Sequence, residues 1–480
     1  MLTIRGAQRC TGMNVQCRAF SVSRALDVVC PATGKKVNSY EEDTIETIRQ
    51  KSKKAAAAQH SWAKVPLKEK IKIIDQFGKT LEQNREKYAK DLSAETGKPI
   101  TQAHNEIKGV QPRINFFTDN VSVALETHLA RTTETFHEEV RKEPLGVIAN
   151  ISAWNYPYFV GANVFLPALL TGNTVLYKPS ERCPQTGLNI AESLHASGVP
   201  KDVFVPIIGK GAAGEAMLDL PEISGVFFTG SLSTGRKIAQ TVGQRMLRLQ
   251  LELGGKDAFY VSDDVDVDKA ASALADGAFY NTGQSCCSVE RIYVNEKVYE
   301  KFVKRFVDEV KTFKMGEPAD PTTYIGPLTL PTQIDVLEAQ VQDALAKGAK
   351  VLVGGKRASR AGNYFEPTVL VDVNHKMDVM VQESFGPIIG IQKVTNTEQA
   401  IQLMNDTIYG LTSGVYTRNE KEAHKVMTSV SSGTTYWNAC DRVSPFTPWS
   451  GRRGSGIGAT LGQDGIQAFV QPKSYHFIKP

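Results

Sequence analysis

The sequence predicts an α/β protein with two domains, each built on a doubly wound parallel sheet, and a smaller antiparallel element. Two observations support this prediction. Short apolar runs alternate with helical segments over residues 146–251, and a second alternation begins after residue 255. Strands that alternate with helices favour a parallel sheet covered by helices. The chain of 480 residues is also longer than a single compact core usually supports.

The N-terminal part is predicted to be mainly helical. A turn at residues 31–34 indicates a short hairpin, after which the patterns over 43–94 and 102–125 are helical. The run 54–58, Lys followed by four Ala, consists of strong helix formers. Residues 126–144 alternate in polarity and are rich in Thr, Glu and Val, which predicts a β-hairpin.

The two alternating regions define the predicted domains. In the first, the predicted strands are 146–151, 174–177, 203–208, 226–228 and 249–251, with helices at 158–171 and 184–197. In the second, helices are predicted at 267–283, 297–313 and 331–347, and strands at 291–294 and 349–353. An apolar run at 467–471 predicts a C-terminal strand. The predicted boundaries are 25–125 with 145–254 for the first domain, 255–465 for the second, and 126–144 with 466–480 for the antiparallel element.

Composition and charge narrow the class of protein. Hydrophobic residues make up 41% of the chain and charged residues 22%, which is ordinary for a soluble protein. There is no uninterrupted apolar run of 18 residues, so the sequence predicts no membrane span. The formal net charge of +5 is too small to indicate a nucleic-acid partner.

The first 24 residues have a composition of their own. They contain Arg5, Arg9, Arg18 and Arg24 but no lysine and no acidic residue. This pattern is typical of a mitochondrial transit peptide and predicts a location in the matrix; the alternative is a disordered basic tail. The five cysteines after residue 24 are too scattered for a disulfide framework or a metal cluster, so no metal site is predicted.

Two adjacent cysteines, Cys286 and Cys287, lie in a loop of small residues between two apolar segments. Such loops often present reactive groups to a cleft. A zinc site needs four ligands at suitable spacings, and no histidine is nearby in the sequence. A buried thiol that packs as a small hydrophobic group is the alternative. The neighbouring motifs favour a reactive thiol.

Six motifs in fixed order resemble the NAD(P)-dependent aldehyde dehydrogenase superfamily, and within it the hydrolytic, non-acylating type. The likeness extends from about residue 27 to the end of the chain. It implies two Rossmann-like domains, with the hairpin and the C-terminal strand forming an oligomerisation element. The motifs are Ala-Trp-Asn-Tyr-Pro at 153–157, Lys-Pro-Ser-Glu at 178–181, Phe-Thr-Gly-Ser at 228–231, Leu-Glu-Leu-Gly-Gly-Lys at 251–256, Gly-Gln-Ser-Cys-Cys at 283–287 and Glu-Ser-Phe-Gly-Pro at 383–387.

The resemblance assigns three catalytic residues. Cys286 is the nucleophile, because the family pattern Gly-Gln-x-Cys selects it over Cys287. Asn155 supplies an amide donor to the oxyanion of the tetrahedral adduct, together with the backbone N–H of the nucleophile. Glu252 is the general base that activates water for thioester hydrolysis. Relatives that transfer the acyl group to coenzyme A typically lack this glutamate, so its presence favours a free acid as product.

The cofactor expected from the resemblance is NAD, with NADP the less favoured choice. Lys178 and Glu181 are expected to bind the adenosine ribose, and Glu181 would repel a 2′-phosphate. Gly230 and Ser231 open a turn that resembles a P-loop but does not have lysine at the position where a P-loop requires it. The pyrophosphate is expected at the helix N-terminus that follows this turn. Glu383 and Phe385 are expected beside the nicotinamide. The remaining cofactor-binding residues are expected to be Ile151, Trp154, Leu253 and Gly254.

A second glycine motif, Gly-Lys-Gly-Ala-Ala-Gly at 209–214, fits the dinucleotide pattern GxGxxG. No acidic residue is convincingly placed about 20 positions further on to bind a ribose. In the resembling family, the glycine-rich turn here packs a helix on a strand. We therefore expect no phosphate contact at this motif.

The substrate pocket and the assembly are less closely specified. The resemblance implies that Tyr156, Val160, Asn163 and Trp449 line a substrate tunnel, and Asp441 could add charge near it. Aromatic walls would suit an aromatic aldehyde or a cationic amine. The substrate is a small aldehyde, and the assembly is expected to be a homodimer or homotetramer. Two alternatives to hydrolytic oxidation are a coenzyme A-acylating semialdehyde dehydrogenase and a non-catalytic scaffold protein.

Overall fold

The computed structural model describes residues 25–479, and its N-terminal region is mainly helical. Helix α1 begins after Thr44, whose side chain accepts a hydrogen bond from the backbone N–H of Thr47. The predicted helix over 102–125 is two helices divided at Gly109. The elements of this region are β1 Ala25–Val29, β2 Lys36–Glu41, α1 Ile45–Lys64, α2 Leu67–Gln83, α3 Arg85–Thr96, α4 Ile100–Lys108, α5 Val110–Ala124, β3 His128–Thr132 and β4 Phe136–Pro144.

The first large sheet contains the strands predicted between residues 146 and 251. Its order is β17-β9-β8-β5-β6-β7, and every pair is parallel except β17 with β9. Strands β5 and β6 are buried along their whole length, as expected when helices cover both faces. Its sequential elements are β5 Val147–Ile151, α6 Pro157–Leu170, β6 Thr174–Lys178, α7 Pro184–Ala196, β7 Phe204–Pro206, α8 Gly211–Leu218, β8 Ile223–Thr229, α9 Leu232–Arg245 and β9 Arg248–Glu252, and β17 is Gly456–Ile457.

The second large sheet has seven strands in the order β12-β13-β14-β11-β10-β15-β16. Only the edge strand β12 is antiparallel to its neighbour. The two parallel sheets confirm the predicted doubly wound α/β class. The elements are β10 Ala258–Val261, α10 Val267–Phe279, β11 Arg291–Asn295, α11 Tyr299–Val310, α12 Thr332–Ala346, β12 Lys350–Val353, β13 Thr368–Val371, α13 Asp378–Val381, β14 Ile388–Val394, α14 Thr397–Asn405, β15 Thr412–Tyr416, α15 Glu420–Ser429 and β16 Thr434–Trp437.

The C-terminal strand differs from its prediction. Residues 462–467 form helix α16 (Gly462–Gln467), so the strand predicted at 467–471 is wrong in its start and its length. Strand β18 runs over Val470–Ile478 and pairs antiparallel with β4, giving a three-stranded sheet in the order β18-β4-β3. Phe469 is fully buried, stacked on Phe227 at 4.2 Å between ring centroids. The apolar run therefore marks this buried anchor, and the strand after it is mostly exposed.

The last part of the chain returns to the first sheet. Strand β17 adds to the edge of β9, and α16 packs on α5 and α6. Residues 456–465 were assigned by sequence to the second domain, and they nevertheless lie against the first sheet. This return brings Thr460 and Trp449 beside the end of β9, where Glu252 lies.

Candidate active site

The loop that carries the two cysteines is shaped by three consecutive left-handed residues. After α10 ends, Asn281, Thr282 and Gly283 have φ angles of 53°, 58° and 70°. A side chain on Gly283 would collide with the backbone carbonyl of Gly386, so glycine is required on steric grounds as well. Left-handed conformations at two non-glycine residues indicate strain that the surrounding structure holds in place. The predicted helix over 267–283 ends at Phe279 for this reason.

The two thiols have different environments. Cys287 is buried, and its Sγ donates to Asp441 Oδ1 at 3.1 Å and lies 3.4 Å from Ser285 Oγ. Its pKa is raised well above the usual value, first by the neighbouring Cys286 side chain and then by burial. Cys286 is only half-buried. The structure therefore leaves Cys286 as the accessible thiol, and its neighbour packs as a hydrogen-bonded core group.

Asn155 lies directly after β5, at the carboxyl edge of the first sheet, and its backbone is held from two sides. Its carbonyl oxygen accepts from Lys98 Nζ at 2.7 Å and from Asn281 Nδ2 at 3.2 Å. Asn281 Nδ2 also donates to the carbonyl of Gln284, 3.0 Å away. One amide therefore ties the Asn155 segment to the cysteine loop. The side-chain amide of Asn155 makes no hydrogen bond within residues 25–479, so it is free to donate to a ligand.

A buried ion pair also holds the Asn155 segment in place. Lys98 pairs with Glu106, and both side chains are almost inaccessible to solvent. Glu106 Oε1 also accepts from the backbone N–H of Tyr158 at 2.9 Å. Burial lowers the pKa of Lys98 and raises the pKa of Glu106, while each charge favours ionisation of the other. Neither residue was predicted as part of the site, because nothing in their local sequence indicates that α4 packs under Asn155.

Glu252 is the last residue of β9 and is buried. Its Oε1 accepts from Gln250 Nε2 at 2.7 Å and from Thr460 Oγ1 at 3.3 Å. Its Oε2 is enclosed and makes no hydrogen bond with the described part of the chain. Burial raises the pKa of this carboxyl well above its usual value. Such a group is a strong base once it loses its proton, as general-base catalysis requires.

A cleft of about 490 Å³ opens at the carboxyl ends of β5, β6 and β8. Parallel α/β sheets bind their ligands at this edge. Ile151, Trp154, Lys178, Glu181 and Gly230 all line the cleft, so the structure brings together five of the predicted cofactor residues.

Two features of the cleft suit a dinucleotide. The buried Lys178 Nζ lies 3.7 Å from Glu181, and burial lowers the pKa of this lysine. Ser231 caps α9 by accepting from the backbone N–H of Thr234 at 3.3 Å, as predicted. The free N–H groups of this helix start attract phosphate. A hydroxyl-binding pair and a helix N-terminus on one cleft therefore fit a ribose and a pyrophosphate.

Leu253 holds α9 in place without facing the cleft. The Leu253 side chain packs directly against Gly235 in α9. A methyl group at Gly235 would lie 2.5 Å from it, which is an overlap. Gly211 and Gly214 of the second glycine motif line the same cleft, which the sequence did not lead us to expect. Lys178 Cδ lies 3.5 Å from the position that a methyl group on Gly214 would take, and nothing lies within 4 Å of the same position on Gly211.

Glu383 and Phe385 lie against the segments that carry Gly254 and Trp154. Glu383 Oε1 accepts from the backbone N–H of Gly255 at 2.9 Å, and a side chain on Gly254 would require the Glu383 carboxylate to move. Burial raises the pKa of Glu383 to about 7. The Phe385 ring makes an edge contact with Trp154 at 5.6 Å between centroids.

The segment with Glu383 and Phe385 is held by a second buried ion pair. Glu290 pairs with Lys256 at 2.5 Å and accepts from the backbone N–H groups of Ser384 and Phe385 at 2.9 and 3.0 Å. Lys256 lies in the motif at 251–256, in which the sequence singled out Glu252, Leu253 and Gly254 but not the lysine. Glu290 lies three residues after the cysteine pair, and its spacing gave no sign that it reaches residues almost a hundred positions away.

The predicted pocket residues lie around the start of α6. Tyr156 stacks on Phe159, with an interplanar angle of 4°, and Lys98 Nζ lies 3.9 Å from the centre of its ring. Val160 is partly buried and Asn163 is buried one turn further along the helix. Trp449 is buried, and its backbone pairs with Thr460 beside Glu252.

Comparison with known proteins shows the family to which this chain is related. The family model described as "Aldehyde dehydrogenase family" matches residues 19–475. A succinate-semialdehyde dehydrogenase [NADP(+)] of Deinococcus radiodurans is 32% identical over 94% of this chain and 94% of its own length. A betaine aldehyde dehydrogenase of Cereibacter sphaeroides is 31% identical over 94% and 93%. The crystal structure of an NAD-dependent aldehyde dehydrogenase from Sinorhizobium meliloti has a TM-score of 0.92 and 29% identity, covering 95% of this chain and 92% of that one.

The fold and the site define a thiol-containing α/β enzyme with a nucleotide cleft. The chain belongs to the aldehyde dehydrogenase family and is an oxidoreductase that acts on aldehydes. Within residues 25–479, no helix is long and apolar enough to cross a membrane. That part of the chain also has no cluster of three or more His, Cys, Asp or Glu side chains arranged to hold a metal ion.

Proposed function

We propose that this enzyme oxidises an aldehyde to a free carboxylic acid, with NAD as hydride acceptor and water as the second substrate. The single observation that carries the proposal is the amide of Asn281, which links the Asn155 segment to the cysteine loop. This link fixes an accessible thiol and an unpaired side-chain amide relative to each other. A nucleophile and an oxyanion donor held in one geometry are the two parts that acyl chemistry on a carbonyl requires.

In the first half of the proposed reaction, Cys286 as thiolate adds to the aldehyde carbon and forms a thiohemiacetal. The Asn155 amide and the backbone N–H of Cys286 donate to the oxygen that gains charge. Bound nicotinamide supplies the chemistry that accepts a hydride from the substrate carbon. Cys286 then holds the acyl group as a thioester.

In the second half, Glu252 takes a proton from a water molecule that attacks the thioester, and the acid leaves Cys286 as a thiol. The unpartnered Oε2 of Glu252 is the atom assigned to this water. Over one cycle, an aldehyde, NAD⁺ and water give an acid, NADH and a proton. A base dedicated to water supports hydrolysis over transfer to coenzyme A.

The preference for NAD rests on Glu181. Its carboxylate lines the cleft beside Lys178, where a 2′-phosphate on the adenosine ribose would meet a negative charge. The relatives include enzymes described as NADP-dependent and as NAD-dependent, so similarity does not choose between the two. We expect a higher kcat/KM with NAD than with NADP, and we expect Glu181→Gln to narrow the difference. A wild-type preference for NADP would contradict this assignment.

The predicted location in the mitochondrial matrix depends on residues 1–24, which lie outside the described residues. We propose that they are removed on import and that the remaining chain forms a homodimer or homotetramer. The domain boundaries predicted from the sequence stay part of this proposal. N-terminal sequencing of the protein recovered from mitochondria would test the cleavage, and an intact Met1 would contradict it.

The proposed reaction is tested by following NADH formation with a panel of aldehydes, with and without coenzyme A. We expect turnover without coenzyme A that is lost in Cys286→Ala and kept in Cys183→Ala, since Cys183 is a buried thiol outside the site. For Glu252→Gln we expect one rapid turnover of NADH followed by a stalled acyl-enzyme. Turnover only in the presence of coenzyme A would move the assignment to acyl transfer. No turnover despite NAD binding would favour the scaffold alternative.

A further inference from the structure

Arg113 is a buried cation on the substrate side of the site that the proposed mechanism does not use. It lies on α5 and is only 5% exposed. Its Nε donates to Asn163 Oδ1 at 2.9 Å, and its Nη1 donates to the carbonyl of Gly109 at 2.9 Å. The guanidinium stacks 3.8 Å from the centre of the Phe159 ring. Three contacts therefore fix this side chain against the face of α6.

The charge of Arg113 has no direct counter-ion. Within residues 25–479, no carboxylate comes within ion-pair distance of its guanidinium. Glu106 interacts with Arg113 at longer range, but its direct partner is Lys98. Burial lowers the pKa of Arg113 to about 10, so the group stays charged near neutral pH. Burying a charge without a partner is costly. An anion supplied from outside would remove that cost.

The guanidinium has a free edge from which an anion could be bound. Its Nε and Nη1 are used within the protein, but Nη2 makes no hydrogen bond to any described residue. Nη2 is also not completely enclosed by the protein. An arginine that is already oriented by two hydrogen bonds loses little conformational freedom when it binds a carboxylate.

The distance from Arg113 to the reacting carbon follows from its place beside α6. Tyr156, Val160 and Asn163 recur on one face of α6, which starts immediately after Asn155. Asn163 lies seven residues beyond Tyr156, which corresponds to a rise of roughly 10 Å along the helix. The guanidinium bound to Asn163 is therefore one short carbon chain away from the oxyanion amide.

The other charged group near the pocket is weaker evidence for a ligand. Asp441 accepts from Cys287 Sγ at 3.1 Å, and burial raises its pKa to about 7. A carboxyl with this pKa can take up a proton and become neutral, so it does not need a cation. Arg113 cannot become neutral in this way. The uncompensated charge of the pocket is therefore positive.

We propose that Arg113 binds the carboxylate of the substrate, and that the enzyme acts on short aldehydes with an anionic tail. Nη2 donates to the carboxylate, while Asn163 and Phe159 hold the guanidinium in place. This inference rests on the proposed oxidation of an aldehyde at Cys286 and adds the class of substrate to it.

The test compares three aldehydes of similar length with the full-length enzyme and NAD: succinate semialdehyde, butyraldehyde and γ-aminobutyraldehyde. We expect wild type to favour succinate semialdehyde in kcat/KM. In Arg113→Met, we expect the ratio of kcat/KM for succinate semialdehyde over butyraldehyde to fall by about 10- to 100-fold, mainly through KM, the usual size for a charged hydrogen bond. Arg360→Met is the matched control, because Arg360 also stacks on an aromatic ring, Tyr364, at 4.0 Å but lies outside the site. Its ratio should not change.

The possible outcomes separate this inference from the proposed function. Wild type that oxidises butyraldehyde but shows no preference for succinate semialdehyde, or prefers γ-aminobutyraldehyde, would overturn the role of Arg113 and leave the reaction standing. The same holds if Arg113→Met leaves the ratio unchanged. No turnover of any of the three aldehydes by wild type would overturn the reaction itself. The wild-type preference decides the question even if Arg113→Met does not fold, and Arg113→Lys, which keeps the charge, should retain part of it.

Discussion

At the scale of single residues, the chemistry depends on carboxyls whose protonation is controlled by burial. Glu252 and Glu383 both face the meeting point of the two large sheets, and burial raises the pKa of each. For Glu252, the hydrogen bonds from Thr460 and Gln250 act in the opposite direction, because they stabilise the charged form. Trp449 acts in the same direction, so the balance between burial and these three side chains sets the pH at which Glu252 becomes a base.

Removing one of these donors gives a prediction with a definite sign. In Thr460→Val the carboxylate of Glu252 loses a hydrogen bond, so its pKa should rise further. Thioester hydrolysis needs the deprotonated form, so the acidic limb of its pH–rate profile should move to higher pH. The measurement is the rate after the first turnover as a function of pH. Thr428→Val, on the exposed face of α15, is the control. A shift to lower pH would contradict the role given to Glu252.

At the scale of elements, three consecutive left-handed residues convert the end of α10 into the loop that presents Cys286. The amide of Asn281 spans from this loop to Asn155. Lys98, just before α4, also donates to Asn155, and Glu106 of α4 pairs with Lys98. The cysteine loop, Lys98 and the segment after β5 are therefore joined at one atom, the carbonyl oxygen of Asn155. A change in this junction should alter catalysis without touching a reacting atom.

Asn281→Ala tests the junction. Losing the link should lower kcat by about 10-fold or more, since the oxyanion amide would no longer be held in place. If Asn281 acts through Asn155, the double variant with Asn155→Ala should be no slower than Asn155→Ala alone. Asn105→Ala is the control, because its amide donates to the hydroxyl of the neighbouring Tyr280 but to neither the Asn155 nor the Gln284 carbonyl. Fully additive losses in the double variant would show that Asn281 acts independently.

Gly283→Ala tests the loop conformation itself. Gly283 has a φ of 70°, and a methyl group there would collide with the carbonyl of Gly386. We expect a loss of about 1–3 kcal/mol in the free energy of unfolding and a large loss of activity. Gly243→Ala, inside α9 with open space around it, should instead leave stability unchanged or raise it slightly. Thermal unfolding of both variants is the measurement, and equal melting temperatures would contradict the strain argument.

At the scale of the whole molecule, the three-stranded sheet projects its edges outward. Strand β3 is exposed at every residue, and β18 pairs only with β4 within residues 25–479. Two open edges on one small sheet are a template for pairing with another chain. This arrangement supports the proposed homo-oligomer.

Removal of residues 470–480 should therefore reduce the number of chains in the assembly. The shortened chain loses the strand that covers one side of β4, and light scattering should give a mass near that of one 52.6 kDa chain or less. Full-length protein at micromolar concentration should give at least twice that mass. A full-length monomer would contradict the proposed assembly, while an unchanged oligomer after truncation would place the interface elsewhere.

The sequence alone determined the class of fold and five of the residues that line the cleft. Buried parallel strands appear as short apolar runs, and cofactor motifs sit at strand ends, so local patterns were sufficient for β5, β6 and β8 and for Lys178 and Gly230. The residues around Cys286 could also be named from their order in the chain. The local pattern gave the wrong position for the C-terminal strand, because the apolar run around the buried Phe469 was interpreted as the strand that in fact follows it.

Only the tertiary structure decided how these residues are supported. Lys98, Glu106, Asn281 and Glu290 act across 34 to 126 positions of sequence, as in the bonds from Asn281 to Asn155 and from Lys256 to Glu290. Such contacts depend on which helix packs under which loop, and no periodicity or motif records that packing. The charge of the substrate pocket is decided in the same way, because Arg113 becomes an uncompensated buried cation only when α5 lies against α6 and Glu106 is already paired with Lys98.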